Sequence, residues 1–312
     1  MTERKIPLLC ITGPTASGKS ALAVRLAQLL GGEVVSCDSM QIYRGMDIGT
    51  AKPTEAEMCG VPHHMIDIVA PSEDYSCGRY ADEAAKVIKD IASRGALPIV
   101  CGGTGLYLDS LITATEHADA PSDPAMREEL LARDAQSLHD ELSEIDAESA
   151  SAIHPNNKRR VARAIEIYRI TGRTKSEWDR RSHDTPSPYD ASVVALGYLD
   201  RELLYRRIRM RVDEMFDRGL CDEVCSLDLD PDSTAAAAIG YKEVGTYLHG
   251  ECTEEQAREA VKLATTRYAK RQLSWLRGRS YVKWAMICGD PEQDKKMLDK
   301  IVNISLILSE RR

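Results

Sequence analysis

Ile6-Pro7-Leu8-Leu9-Cys10-Ile11-Thr12 leads into Gly13-Pro14-Thr15-Ala16-Ser17-Gly18-Lys19-Ser20, and the reading of this stretch decides the fold. The first seven residues are a compact apolar run closed by glycine, as a buried parallel strand requires. The next eight match G-x-x-x-x-G-K-[ST]. The following residues, from about Gly18 to Leu30, carry Leu22, Leu26, Leu29 and Leu30 at helical spacing, stopped by Gly31-Gly32. A phosphate loop is expected in this strand–loop–helix setting. Its glycines let backbone N–H groups turn inward around phosphate oxygens, and the helix N-terminus adds the positive end of a dipole. Lys19 supplies a point charge, and the Ser20 hydroxyl is placed to hold Mg²⁺. The loop alone leaves open which phosphate ester it takes.

Working outward, strands are expected at Glu33–Cys37, Leu97–Cys101, Ser192–Gly197 and Tyr281–Ile287. Helices are expected at Tyr80–Ser93 and at about 201–218, 254–277 and 295–310, the third opened by a Thr253-x-x-Gln256 capping box. Alternation of this kind predicts an α/β fold, a P-loop NTPase-like parallel sheet with helices on both faces. Residues 115–190 break the alternation with helical periodicity, so they are expected to form a helical insertion domain in a core made of 1–114 and 191–312. Asp38 stands at the carboxyl end of the second strand, where ligands collect in such sheets. The strand at 97–101 ends not in an acid but in Gly102-Gly103-Thr104-Gly105. An ATPase puts a Mg²⁺-binding carboxylate there; a glycine-lined loop with one hydroxyl suits a second contact to a phosphate chain.

The chain has 312 residues and a formal charge of −8, with 43% apolar residues, which excludes disordered and fibrous classes. No apolar run reaches the ~18–20 residues needed to cross a bilayer, and the start of the chain lacks a signal-peptide pattern. Nine scattered cysteines without a C-x-x-C pair point to reduced thiols and a cytoplasmic setting. An acidic total argues against nucleic acid, but the charge is unevenly placed. Residues 116–150 carry eleven acids and two arginines, 156–183 nine bases and three acids, and 262–283 seven bases and no acid. Two local basic segments are what an RNA partner needs.

Four weaker signals point to no chemistry. Asp228-x-Asp230-x-Asp232 lacks the turn glycine and final acid of a calcium loop. Asn303-Ile304-Ser305 is a sequon only in a secreted protein, and His63-His64 suits a structural role in a loop. Trp275 and Trp284 read as packing residues.

Several ordered blocks resemble the tRNA dimethylallyltransferases, the isopentenyltransferase family, of bacterial type. They are 13–20; Asp38-Ser39-Met40-Gln41-Ile42-Tyr43; Gly45 to Pro53; Pro62-His63-His64-Met65-Ile66-Asp67; and Gly102 to Tyr107. Further on come His154-Pro155-Asn156-Asn157, Arg159 to Glu166, Ile239-Gly240-Tyr241-Lys242-Glu243, and Lys270-Arg271-Gln272-Leu273-Ser274-Trp275-Leu276-Arg277. The resemblance departs at Ser20, where many relatives carry threonine, and the chain lacks the C-terminal zinc finger of some eukaryotic relatives. It implies transfer of a dimethylallyl group from its diphosphate to N6 of the adenine at position 37 of tRNA, beside the anticodon. Asp38 would act as general base, Thr104 and Arg211 would meet the diphosphate, and Mg²⁺ would sit at Ser20. It further implies RNA contacts at Asp38, Ser39, Met40, Gln41 and Thr104 around a flipped adenine. Others fall at Arg127 near the mouth of the site, at Arg159, Arg160, Val161, Ala162 and Arg163, at Ala237, Ala238, Ile239, Gly240, Tyr241 and Lys242, and along Lys270–Arg277. A monomer is expected. A P-loop kinase for a small molecule or nucleotide, and a non-catalytic P-loop RNA-binding regulator, are the competing readings.

Overall fold

The computed structural model describes residues 5–113, 123–184, 186–231, 233–290, 292–297, 299 and 301–302. Residues 1–4, Glu116 and Asp119 of the acidic stretch, Asp232, the sequon at 303–305 and the end of the expected closing helix lie outside them. By its internal contacts the chain divides into two units, Met1–Leu108 with Tyr189–Arg312, and Asp109–Pro188.

The first unit is a six-stranded sheet whose strands are all parallel: β1 (Ile6–Thr12), β2 (Gly32–Ser36), β3 (His63–His64), β4 (Leu97–Gly102), β5 (Tyr189–Tyr198) and β6 (Val282–Ile287), in the order β3-β2-β4-β1-β5-β6. Its helices are α1 (Lys19–Leu30), α2 (Glu55–Met58) and α3 (Cys77–Ser93), with α4 (Gly105–Ile112) leaving the end of β4. The central strands are buried almost throughout, as a sheet covered on both faces demands. Leu9, Ile11, Leu22, Leu26, Leu30, Ile99, Val194 and Leu196 form the main core cluster. Leu29 departs from expectation: it is 55% exposed, because the buried face of α1 runs through Ala23, Leu26, Ala27 and Leu30. His63-His64, expected in a loop, forms the edge strand β3. His64 Nε2 lies 2.7 Å from Glu33 Oε2, and Arg94 grips the same carboxylate. Arg94 and then His64 hold the Glu33 carboxyl down at about 2, against the opposing effect of burial.

In the second unit, α5 (Pro124–Ala132), α6 (Ala135–Ile145), α7 (Ala147–Ala152), α8 (Lys158–Thr171) and α9 (Lys175–Asp184) enclose Leu130, Leu138, Leu142, Ile153, Val161 and Ile165. Asp123, Asp134 and Asp146 each cap a helix N-terminus, so part of the acidity read from 116–150 is helix punctuation.

Back in the first unit, α10 (Arg201–Asp217), α11 (Leu220–Leu227), α12 (Tyr241–Leu248) and α13 (Glu254–Arg277) complete the layer over the loops at the carboxyl ends of the strands. The capping box at Thr253 and Gln256 is formed. Leu204, Ile208, Val212 and Phe216 make the apolar stripe of α10.

Candidate active site

Three loops converge at the carboxyl ends of β1, β2 and β4, which are neighbours around the centre of the sheet. The loop after β1 runs into α1 through Gly18, at φ 89°, a left-handed conformation that glycine adopts without strain. Among the described residues no side chain caps α1, so its first N–H groups are open to a ligand. Ala16 is also left-handed, at φ 61°, and Arg207 Nε donates to its carbonyl at 2.8 Å. Tyr198 supports the same loop by donating to Ser17 O at 3.3 Å. The Ser17 Oγ is buried without a hydrogen-bond partner among the described residues.

Lys19 Nζ lies 3.3 Å from Pro14 O, and Arg211 Nη1 lies 3.4 Å from Thr15 Oγ1. Burial lowers the pKa of Lys19; Arg211 pushes the same way, and Cys101 and Asp38 oppose it. Burial is also the main effect on Arg211, opposed first by Asp38. Asp38 is thus within electrostatic reach of both cations, and its Oδ1 accepts the Met40 N–H at 3.0 Å. Thr104 Oγ1 accepts the Ser39 N–H at 3.0 Å, and Thr104 N–H donates to Cys37 O at 3.2 Å. The loop that follows Asp38 is therefore tied to the end of β4. Beside Lys19, Ser20 and Arg211 opens a cavity of about 510 Å³, lined also by Arg207, Arg218, Glu57 and Glu214 and by apolar Val24, Ile48, Met210 and Met215.

Ile48 and Ala51 reach that cavity from a loop whose anchor was not foreseen, beside Val24 of α1 and Met210 and Met215 of α10. Glu223 of α11 takes the N–H groups of Asp47, Ile48 and Gly49 at 2.9, 2.7 and 3.0 Å, and the Tyr241 hydroxyl at 2.5 Å. The Tyr241 ring fills the space where a Cβ on Gly49 would lie, 2.4 Å away. Lys52 is buried against Tyr43 O, Asp47 and Asp67. Glu223 lies within a stretch singled out by no motif. Only the pattern of an acid opposite three successive loop amides identifies it, and that pattern exists in space alone.

Helix α13 supplies a second unforeseen feature. Tyr268, Gln272 and Trp275 share one face and meet residues 103–105 of the loop after β4. Tyr268 is hydrogen-bonded to Thr104; burial raises its pKa, and Asp38 adds to the effect. Gln272 Nε2 donates to Gly103 O at 2.9 Å while its Oε1 accepts the Thr15 N–H at 2.9 Å. Cβ atoms on Gly103 and Gly105 would lie 2.2 Å from Gln272 and 2.3 Å from Trp275. The Thr15 amide, expected among the phosphate donors, is therefore already engaged.

Several residues expected at the RNA surface lie elsewhere. Val161 and Ala162 are fully buried in the helical unit, on the α8 face turned to its core. Arg127 and Arg163 both pair with the buried carboxylate of Glu166, at 3.0 and 2.9 Å. Gln41 spends its side chain inside, accepting from Ser36 Oγ at 3.0 Å and donating to the carbonyls of Thr50 and Ala51. Ala238, Gly240, Tyr241, Gln272 and Leu276 are buried; Ser39, Met40, Ile239, Leu273 and Trp275 are partly exposed. Arg159, Arg160, Ala237, Lys242, Lys270, Arg271, Ser274 and Arg277 are exposed. Lys270 and Arg271 stack over Tyr205 and Tyr268 at 5.5 and 5.6 Å. Lys262 is paired with Asp213 and Glu259.

Among the described residues no three His, Cys, Asp or Glu side chains converge as a metal-ligating group. Ser20 faces the cavity, which suits a Mg²⁺ held chiefly by phosphate oxygens and water. All nine cysteines are free thiols, and among the described residues no helix is long and apolar enough to cross a membrane.

A phosphate loop opposed by a carboxylate at one strand end and a hydroxyl at another defines a P-loop α/β protein built to act on a phosphate ester. Residues 41–279 match the model of the IPP transferase family and residues 6–70 that of the isopentenyl transferases. The chain belongs to the IPP transferase family. A tRNA dimethylallyltransferase of Halalkalibacterium halodurans is 48% identical over 302 residues, 95% of each chain. The crystal structure of a tRNA isopentenylpyrophosphate transferase from Bacillus halodurans matches with a TM-score of 0.73 and 45% identity, over 98% of each chain. A eukaryotic dimethylallyltransferase described as acting on tRNA matches with a TM-score of 0.85 and 30% identity, over 98% of this chain and 80% of that one.

Proposed function

We propose that the protein transfers a dimethylallyl group from dimethylallyl diphosphate to N6 of the adenine at position 37 of tRNA, releasing diphosphate. The observation that carries this reading is the placement of Asp38, a carboxylate set among Lys19, Arg211 and Thr104 above an uncapped phosphate-loop helix. An adenine amine is a weak nucleophile because its lone pair is delocalised into the ring. Asp38 orients the amine and takes its proton as N6 attacks the allylic C1 and the C1–O bond breaks. Negative charge then gathers on the departing diphosphate, where Lys19, Arg211, the Thr104 hydroxyl and the open amides of α1 receive it. Ser20 would hold Mg²⁺ beside that group, and the ion would neutralise part of the leaving charge. The apolar wall at Ile48, Met210 and Met215 suits the prenyl chain, and the arginines around it suit the diphosphate.

The exposed bases of α8 and α13 are the surface proposed for the tRNA phosphates, with the helical unit contributing to RNA binding. A loop adenine unstacks at low cost and can be held by its edges. The protein is proposed to act as a monomer in the cytoplasm. The test is transfer of a labelled dimethylallyl group from its diphosphate to tRNA, with ATP omitted. Product bearing the label on adenine N6 supports the reading. Phosphoryl transfer from ATP without prenyl transfer would establish the kinase alternative, and RNA binding with neither reaction the regulator.

A further inference from the structure

Gln272 is a buried polar side chain, hydrogen-bonded through both its amide oxygen and its amide nitrogen. It is 6% exposed, and its amide joins the phosphate loop at Thr15 to the β4 loop at Gly103, each at 2.9 Å. A glutamine amide presents one acceptor and two donor hydrogens at the same reach. Glutamate offers two acceptors and methionine no strong donor or acceptor. The bridge spans loops leaving adjacent strands, β1 and β4. One carries Lys19 and the open amides of α1, the other Thr104. Gly103 has no Cβ, and one placed there would lie 2.2 Å from Gln272 Nε2. The helix thus reaches the loop as closely as a side chain can.

We propose that Gln272 is a positioning residue: it sets the gap between the two loops so that Lys19, Arg211 and Thr104 close on the same diphosphate. This rests on the reading of those loops as a diphosphate site. It also replaces the RNA contact that resemblance implies at this position, because Gln272 is buried while Lys270, Arg271 and Ser274 on the same helix are exposed. A misplacement of ~1 Å at a reacting group costs up to about a hundredfold in rate, so a small change in this gap is expected to show in kcat.

The test compares Gln272→Glu and Gln272→Met with the wild type across pH. In the glutamate variant one oxygen still accepts from Thr15, and the other opposes the Gly103 carbonyl and pushes the loops apart. Burial beside a carbonyl raises the pKa of such a carboxyl, and the protonated acid donates where the amide did. The kcat ratio of Gln272→Glu to wild type is therefore expected to rise as pH falls from about 8 to about 6, whereas the Gln272→Met ratio stays flat. Both variants are expected to lose about ten- to a hundredfold in kcat at pH 8, with KM for tRNA within about twofold. Calorimetry with inorganic diphosphate and Mg²⁺ is expected to show weaker binding in both.

A raised tRNA KM with kcat retained would make Gln272 an RNA contact and overturn the proposal. So would unchanged diphosphate affinity, or a flat pH ratio for the glutamate variant. Should Gln272→Glu fail to fold, Gln272→Met decides through the calorimetry and the split between kcat and KM. A wild type that binds diphosphate but transfers no prenyl group would refute the transferase reading, leaving the calorimetric comparison to judge Gln272.

Discussion

Replacing Glu223 by glutamine keeps the shape and removes one acceptor, so the cost can be worked from four bonds. The carboxylate takes three backbone N–H groups and the Tyr241 hydroxyl, two donors on each oxygen. A glutamine oxygen keeps two of these donors, and its NH₂ then faces the other two. Hydrogen bonds to a charged group contribute roughly 1.5–3 kcal/mol each. Two lost bonds, partly made up by water because Glu223 is only half-buried, give ~3 kcal/mol. For a domain of this size that corresponds to a fall of about 6–12 °C in Tm. Differential scanning calorimetry measures it, and steady-state kinetics on the same samples is expected to show a raised KM for dimethylallyl diphosphate, since Ile48 and Ala51 line the cavity. The control is Tyr241→Phe, which removes one donor. In the double variant the NH₂ can turn toward the vacated side, so the two costs are expected to fall short of additivity by about 1 kcal/mol. A loss below about 1 kcal/mol for Glu223→Gln, or full additivity, would refute the view that this one carboxylate holds the loop.

Other outcomes follow from the same geometry. Asp38→Ala is expected to lower kcat by about 10²–10⁴-fold, the usual contribution of a general base, with little change in tRNA affinity; equal losses in both, from single-turnover rates and filter binding, would make Asp38 a binding residue only. Glu33, held at about 2 against an ordinary 4.5, contributes stability that is present above about 4.5 and lost as pH falls toward 2. That difference corresponds to ~3 kcal/mol, so acid unfolding of Glu33→Gln is expected to show a shallower pH dependence between about 4.5 and 2; an unchanged slope would assign the acid sensitivity to other groups.

The sequence made the skeleton of this molecule legible because strands and helices announce themselves locally. The run at 6–12, the loop at 13–20 and the capping box at 253–256 each carry their signal within a few residues. Asp38 and Thr104 were legible because strand ends collect ligands. What escaped was the second layer. Glu223 acts on loop amides 174 to 176 positions away along the chain, and the bridge at Gln272 on residues 169 and 257 positions away; nothing near them in sequence says so. The basic segments misled for a related reason. Charge counted along a helix ignores its phase, so Arg163 counted toward the basic segment at 156–183 although the buried carboxylate of Glu166 on the same helix claims it.

The close approaches at Gly49, Gly103 and Gly105 carry an evolutionary consequence. Each glycine is a socket occupied by a large side chain distant in the chain: Tyr241, Gln272 and Trp275 respectively. Neither member of such a pair can drift alone, since an added methyl at the socket meets the ring or amide already there, and a shortened side chain leaves a void. The three pairs are therefore expected to be inherited as linked characters. A descendant that acquires alanine at one socket will survive only with a smaller partner in place, and the order in which those two changes occur will be constrained.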